Sequence, residues 1–268
     1  MKIGLGLSLT SMRRRRDTPA FDPDALAYIT AVETADGEAL EAGVKAAIND
    51  FVVGCKADGI WDALKASCIL AGARTLNGAL VPLAGPAPTN FNFVTDDYDR
   101  ITGLKGDGST KDLNSNRADN ADPLDDCHAS CFVTEESGGG AGSILAYMGV
   151  SSGTSIRGLQ RVFNLNGVYA YNRNAAGVLK VSDITSTGFL GTSRATSASY
   201  TGRGDGADVS VTAASNTPTG QNLTLFSFSG TRYAAARLSF YSIGESIDLA
   251  ALDARVSALM DTIEDALT

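Results

Sequence analysis

A chain of 268 residues, 44% hydrophobic and 19% charged, is long and apolar enough to build one large domain or two small ones with a real core, which excludes a disordered tail. Charged residues fall below the roughly 25% of an average domain and the 29 glycines point to turn-rich β structure, while no apolar run approaches the roughly 18 residues of a membrane helix. The net charge of −8 is unevenly divided: residues 1–16 carry five bases and no acid, leaving 17 bases and 30 acids, or −13, on residues 17–268. An acidic body repels nucleic acid, so nucleic acid is not an expected partner, and membrane insertion is not expected either.

Residues 1–23 read as an extended arm, with alternating Gly and Leu, the run Arg13, Arg14, Arg15 and Arg16, and then Pro19 and Pro23. The apolar stretch lies before the basic run, the reverse of a secretory signal, so no export signal is expected. Residues 24–85 read as a helical neck. Asp22-Pro23-Asp24 is a helix start, Leu26, Ile29 and Val32 set a helical period, Gly37 breaks it, and Leu40, Val44, Ile48, Phe51 and Val52 resume it. A further short helix is expected from Asp58 with Trp61, Leu64, Cys68 and Leu70, Trp61 serving as a core anchor.

After Pro82, Pro86 and Pro88 the period changes to two, and residues 86–245 read as a β-sandwich. Strands are expected at 129–134, 143–149, 160–165, 168–172, 178–181, 198–202, 207–213, 222–228 and 232–243, with turns at Asn166-Gly167, Asn174 to Gly177, Asp205-Gly206 and Ser229-Gly230. Without helical crossovers the sheets must be antiparallel. Residues 246–268 close the chain as an amphipathic helix: Leu249, Leu252, Val256, Leu259, Ile263 and Ala266 are spaced 3, 4, 3, 4, 3. That stripe must be buried, either on the chain's own sandwich or neck or in a bundle with other copies. The fold class is thus mainly β with α segments.

The strings Lys56 to Trp61, Cys68 to Leu83, Ala87 to Phe91, Gly103 to Lys111 and Leu238 to Gly244 together resemble structural proteins of tailed bacteriophages, those with laminin-G-like, concanavalin-type jelly rolls in tail, fibre or head-decoration subunits. The resemblance covers roughly residues 20–268. It implies a non-enzymatic virion component that docks on capsid, neck or tail proteins by its arm, displays the jelly roll, assembles with itself as a homotrimer through the terminal stripe, and in some cases binds a host-surface glycan. A carbohydrate-binding receptor module is the alternative, and a glycoside hydrolase the third reading.

The supply of catalytic groups is thin, and no catalytic residue is assigned. His128 is the single histidine, so a Ser-His-Asp or Cys-His system lacks partners. The paired-carboxylate string of laminarinase-like glycosidases is absent, and Glu135-Glu136 reads as a solvated loop. Cys127-His128-Ala129-Ser130-Cys131 has a zinc-like look, but Cys55 and Cys68 make no second close pair, so buried thiols and no metal are expected. On a strand both thiols would face one way and His128 the other. Laminin-G-like sandwiches often hold calcium in rim loops, and two clusters invite it: Asp96, Asp97 and Asp99, then Asn114, Asn116, Asp119, Asn120, Asp122, Asp125 and Asp126. Neither fits a fixed calcium motif, so solvated turns are the expectation and no cofactor is assigned. Arg203-Gly204-Asp205 reads as a hairpin turn, and Asn222-Leu223-Thr224 as a strand. Tyr169, Tyr171 and Tyr200 are the candidate glycan contacts, since glycan recognition wants aromatics in a groove.

Overall fold

The computed structural model describes residues 21–136, 138, 144–175, 179–183 and 187–268. The arginines of the basic arm, Arg13 to Arg16, lie outside the described residues, as does part of the expected turn at 174–177. Four helices are present among the described residues, α1 (Pro23–Asp36), α2 (Ala42–Ala57), α3 (Leu76–Ala79) and α4 (Leu249–Leu267). The strands in chain order are β1 (Leu64–Ile69), β2 (Thr89–Phe91), β3 (Tyr98–Asp99), β4 (Gly103–Lys105), β5 (Asp112–Ala118), β6 (Cys127–Glu135), β7 (Ile144–Ser151), β8 (Ile156–Val162), β9 (Gly167–Asn172), β10 (Leu179–Ser182), β11 (Gly188–Arg194), β12 (Ser199–Gly204), β13 (Ala207–Thr212), β14 (Asn222–Leu225) and β15 (Arg237–Gly244).

They form the expected antiparallel sandwich. One sheet has eight strands in the order β13-β12-β11-β6-β15-β4-β3, with β1 also on β15; the other has seven in the order β10-β9-β8-β7-β14-β5-β2. Between the sheets lies a core that includes Leu104, Leu113, Cys131, Leu159, Val168, Leu225 and Tyr241. The Asp205-Gly206 turn joins β12 to β13 with both residues at positive φ, 51° and 72°, the twist that a two-residue hairpin needs. Arg203, beside it, pairs with Asp208 at 2.7 Å and Asp253 at 2.8 Å, so the Arg-Gly-Asp string is a hairpin corner.

Helices α1 and α2 stand where the period placed them. Asp22 caps α1 through its side chain, Pro23 opens the first turn, and Gly37 ends the helix in the left-handed region. The helix expected from Asp58 is corrected: only Trp61–Ala63 makes a single 3₁₀ turn, and Leu64–Ile69 is strand β1. Ile69 pairs with Phe240 and Ser67 with Ser242, so this segment of the expected neck is built into the sandwich. Its run is buried on both faces, which removes the alternation that would mark a strand. Trp61 is half-buried at the edge of the helical layer, not the core anchor expected.

A second core fills the space between the helices and the outer face of the eight-stranded sheet. Phe51 of α2 meets Phe240 of β15 edge to face at 5.7 Å, and Val44, Ile48, Leu252, Val256, Leu259 and Ile263 pack around them. The stripe Leu249, Leu252, Val256, Leu259 and Ile263 is therefore buried against α2 and the sheet of its own chain. This corrects the assignment of those residues to a homotrimer seam: an apolar stripe already sealed inside the chain has nothing left to offer another copy. Among the described residues no helix is long and apolar enough to cross a membrane.

Candidate functional site

The outer face of the seven-stranded sheet carries the best candidate. Alternation along β8 and β9 sends Leu159, Val168 and Ala170 into the core, which turns Gly158, Gln160, Tyr169 and Tyr171 outward. The register sets Gln160 directly opposite Tyr169 and Gly158 opposite Tyr171. On the next strand Gly149 faces Gly158, and a side chain on Gly149 would collide with the ring of Phe228, 2.7 Å from its Cβ position. The loop after β14 thus lays Phe228 on the glycines. The same loop is pinned to β7 by the Ala146 amide, which donates to the Arg232 carbonyl at 2.9 Å.

From that loop the exposed Arg232 reaches back over the sheet. Its guanidinium donates to Gln160 Oε1 at 3.2 Å and stands 5.5 Å over the Phe228 ring. Gln160 is 1% exposed and its Nε2 has no hydrogen-bond partner, an omission that costs roughly 1–3 kcal/mol in a folded protein. Burial pushes the Tyr171 phenol up, and Arg232 nearby pulls the other way. The result is a patch of one half-buried tyrosine, Tyr169, beside the nearly buried Tyr171, with one exposed guanidinium and one amide donor without a partner.

Of the three candidate tyrosines, the structure brings two together. Tyr169 is half-buried on this face, its hydroxyl donating to the Leu165 carbonyl at 3.2 Å, and Tyr171 lies beside it at 8% exposure. Tyr200 is corrected. It points between the sheets at 2% exposure, its hydroxyl donates to the Ala170 carbonyl at 3.0 Å, and Arg194 covers its ring at 5.2 Å, so its ring is not part of the outer face that carries Tyr169 and Tyr171. Gln160, Phe228 and Arg232 escaped the sequence reading. The signal for Gln160 was the Asn166-Gly167 turn, but with β8 expected at 160–165 rather than ending at Val162, its partner could not be counted.

The aspartate-rich loop after β5 is not the solvated turn expected, and it does not fit calcium. Asp119 and Asp122 are buried at 1% and 2% exposure. Arg157 contacts Asp122 Oδ2 at 2.9 Å through both terminal nitrogens, Arg173 contacts Asp119 Oδ1 at 3.3 Å, and Arg117 also holds Asp122. Burial pushes the Asp122 carboxyl up, but Arg157 and Arg117 outweigh it and hold it below the usual range. These guanidiniums occupy the place a cation would take. In the first cluster Lys111 takes both oxygens of Asp97 at 2.5 and 2.6 Å, and Asp99 Oδ1 accepts from the amides of Ile101 and Thr102.

His128 and the thiols lie on opposite faces of β6: Cys131 is in the inter-sheet core and Cys127 meets Asn172, while His128 faces the crossing segment before α4. Its Nδ1 donates to the Glu245 carbonyl at 2.5 Å, so Nε2 accepts from Ser242 Oγ at 2.9 Å and the ring is neutral. Burial lowers its pKa to about 4. Sealed from solvent, the pair offers a substrate no approach. Among the described residues no group of three His, Cys, Asp or Glu side chains is placed to hold a metal ion.

No family model matches the chain, and no curated protein matches it. Solved structures do. A structure described as HCR/D-Sa-GBL1/C aligns over 74% of this chain and 52% of its own length at a TM-score of 0.50 and 8% identity. NanB sialidase from Streptococcus pneumoniae aligns over 57% of this chain at a TM-score of 0.39 and 13% identity, and this chain spans only 27% of its length. The Ruminococcus gnavus IT-sialidase CBM40 aligns over 50% of this chain and 84% of its own length at a TM-score of 0.37 and 13% identity. At such identities the likeness shows the fold alone: the chain is an antiparallel two-sheet β-sandwich.

Proposed function

We propose that this chain is a carbohydrate-recognition sandwich that acts by binding rather than catalysis, with the glycan seated on the outer face of the seven-stranded sheet. The observation that carries the reading is Gln160: a buried amide donor without a partner, flanked by Tyr169 and Tyr171 and roofed by the exposed Arg232. A sugar ring presents an apolar C–H face to an aromatic side chain and hydroxyls at its rim, and this patch supplies both counterparts. Arg232 would swing aside and admit a hydroxyl to Nε2, or anchor a carboxylate on an acidic sugar. Screening an array of neutral and acidic glycans, then titrating the best ligand calorimetrically, tests the reading. Tyr169→Ala and Arg232→Ala should each weaken binding about tenfold, or roughly 1.4 kcal/mol. A protein that binds no glycan on the array, or whose affinity survives both changes, would refute it.

A second reading makes the same domain a surface subunit of a tailed-phage virion. What supports it is that strings carrying the phage resemblance meet in one sheet: β4, within Gly103 to Lys111, lies along β15 at Leu104 and Leu238, and β1, which ends in Cys68 and Ile69, continues that edge. Mass spectrometry of purified particles would test it, and removal of residues 1–16 should abolish incorporation if the basic arm is the attachment. Truncated protein found in particles at normal occupancy would end the attachment idea.

A further inference from the structure

The outer strands of the two sheets are protected to different degrees. Among the described residues, β3 has two residues and β2 three, the latter followed by Asn92 at φ 68°. Strand β10 has four, carries Lys180 and is bulged between Lys180 and Ser182, and β1 is bridged at Ser67 by Ala84. Shortness, bulges and lysines are the means by which sheet edges avoid pairing with other chains. Strand β13, the outermost of the eight-stranded sheet, has none of them. Its six residues pair with β12 without a register shift and include no Pro, Gly or Lys. All but Val211 are exposed, and the charge of Asp208 is already matched by Arg203 at 2.7 Å.

We propose that β13 pairs with β13 of a second copy, antiparallel and in a register centred on Ser210, so that the eight-stranded sheet runs on through a two-fold axis. The hairpin decides which groups are open. Because Asp205-Gly206 is a two-residue turn, Ala207, Val209 and Val211 exchange hydrogen bonds with β12, and the amides and carbonyls of Asp208, Ser210 and Thr212 face outward. The Ala213 amide, which donates to the Ala198 carbonyl at 2.9 Å, keeps that parity. With Ser210 opposite its own copy, Asp208 lies opposite Thr212 and Val209 opposite Val211. This is the register in which all three outward residues find partners, and a shift by one pair leaves Asp208 or Thr212 unbonded in each copy. It also sets the strand's one charge against a hydroxyl and not against itself. Val209, 39% exposed, shares the parity of Val211, which pairs with the inward Tyr200, so the valines of the two copies prolong the inter-sheet core. One strand pair is a small interface, and two bodies of −13 repel, so the dimer is weak and tightens as salt screens the charge. The axis stands perpendicular to the sheet, which puts both seven-stranded sheets on one side. On the glycan reading proposed above, that makes the pair bivalent towards a glycan-coated surface.

Sedimentation equilibrium of the full chain, from micromolar to millimolar concentration, should show the mass rising from one chain to two. Ser210→Pro removes an outward amide and no bond to β12, and Val209→Lys sets an ammonium against the partner strand. Each should loosen the dimer about tenfold or more while the thermal melt stays put. Ser210→Cys should cross-link to its own copy on mild oxidation, since hydrogen-bonded pairs lie about 5.5 Å apart at Cα, within disulfide reach, and the four native cysteines are buried. A chain that stays monomeric at millimolar concentration would overturn the proposal; slow hydrogen exchange at Asp208, Ser210 and Thr212 in that monomer would mean that a segment of the same chain covers the edge. A dimer indifferent to both substitutions and without the cross-link would overturn it by placing the contact elsewhere. The bivalent reading has its own test: Ser210→Pro should leave a glycan-coated surface faster than the parent chain at equal affinity for free glycan. A chain that binds no glycan yet dimerises through β13 would refute the glycan reading and uphold the pairing.

Discussion

The two sheets of this sandwich have outer faces of opposite character. The eight-stranded sheet turns Phe240, Phe189 and Ile69 outward and buries them under α2 and α4, while the seven-stranded sheet turns out Gln160, Tyr169, Asn114 and the 46%-exposed Phe91. One face is closed by packing and the other carries polar and aromatic groups with unmet bonding capacity. The contrast supports the proposed placing of the binding face. Helices cover the face whose apolar surface must leave water, so the face they leave bare is the one available to a ligand.

Changes on the closed face should be the most damaging. Leu252→Asp with Leu259→Asp places two carboxylates in the seam between α4 and α2, each costing several kcal/mol, so the double variant should lose its cooperative melt. A soluble variant with a normal melt would show that α4 is an ornament on the sandwich. Phe51→Ala should cost about 3–5 kcal/mol by opening a cavity against Phe240, measured by urea unfolding.

His128 supplies a third and milder probe, since it is roofed by the segment that leads into α4. Its folded pKa of about 4 lies below the usual 6.5, so the unfolded chain binds the proton more readily between those values. Stability from this group is complete above pH 6.5 and falls as pH drops towards 4, by about 3 kcal/mol in all. Urea melts at pH 7, 5.5 and 4.5 should show the loss, and His128→Asn should flatten that part of the slope. An identical slope in the variant would assign the acid sensitivity to other groups. The smallest effect is expected on the open face: Tyr169→Ala should change stability by less than about 1 kcal/mol even as it weakens the proposed glycan binding. A large destabilisation there would mean the face is structural after all.

Periodicity made α1, α2 and α4 legible because each buries one face and exposes the other, while turn residues bracketed most of the strands, many of which are buried on both faces. Strands β1 and β11 escaped. Strand β1, Leu-Lys-Ala-Ser-Cys-Ile, is buried on both faces apart from Lys65 and shows no alternation, and β11, with Gly191 tucked under Leu249 and Phe189, has Thr192 as its one β-branched residue and no alternation either. The stripe on α4 was plain in the sequence, but whether it met α2 or another copy depends on contacts between residues some 200 apart. The tyrosines show the same limit at the site. Tyr169 and Tyr200 both sit in alternating strands, yet one faces out and the other in, because only the pairing register says which parity meets the core. The buried arginines were invisible for a related reason: Asp119 and Asp122 look solvated until Arg157 arrives from β8 and Arg173 from the end of β9.

Strand β15 also has a consequence in time. It is the last strand made, and it joins β6 on one side to β4 and β1 on the other, with Ile69 waiting for Phe240, 171 positions further along the chain. Until it arrives, β6, β4 and β1 are unpaired edges with free amides and carbonyls. A nascent or truncated chain therefore passes through a stage with a gap in its larger sheet, when strand addition from a neighbouring molecule competes with completion from within. Folding should be slow, as befits long loop closure, and yield should fall with concentration during refolding.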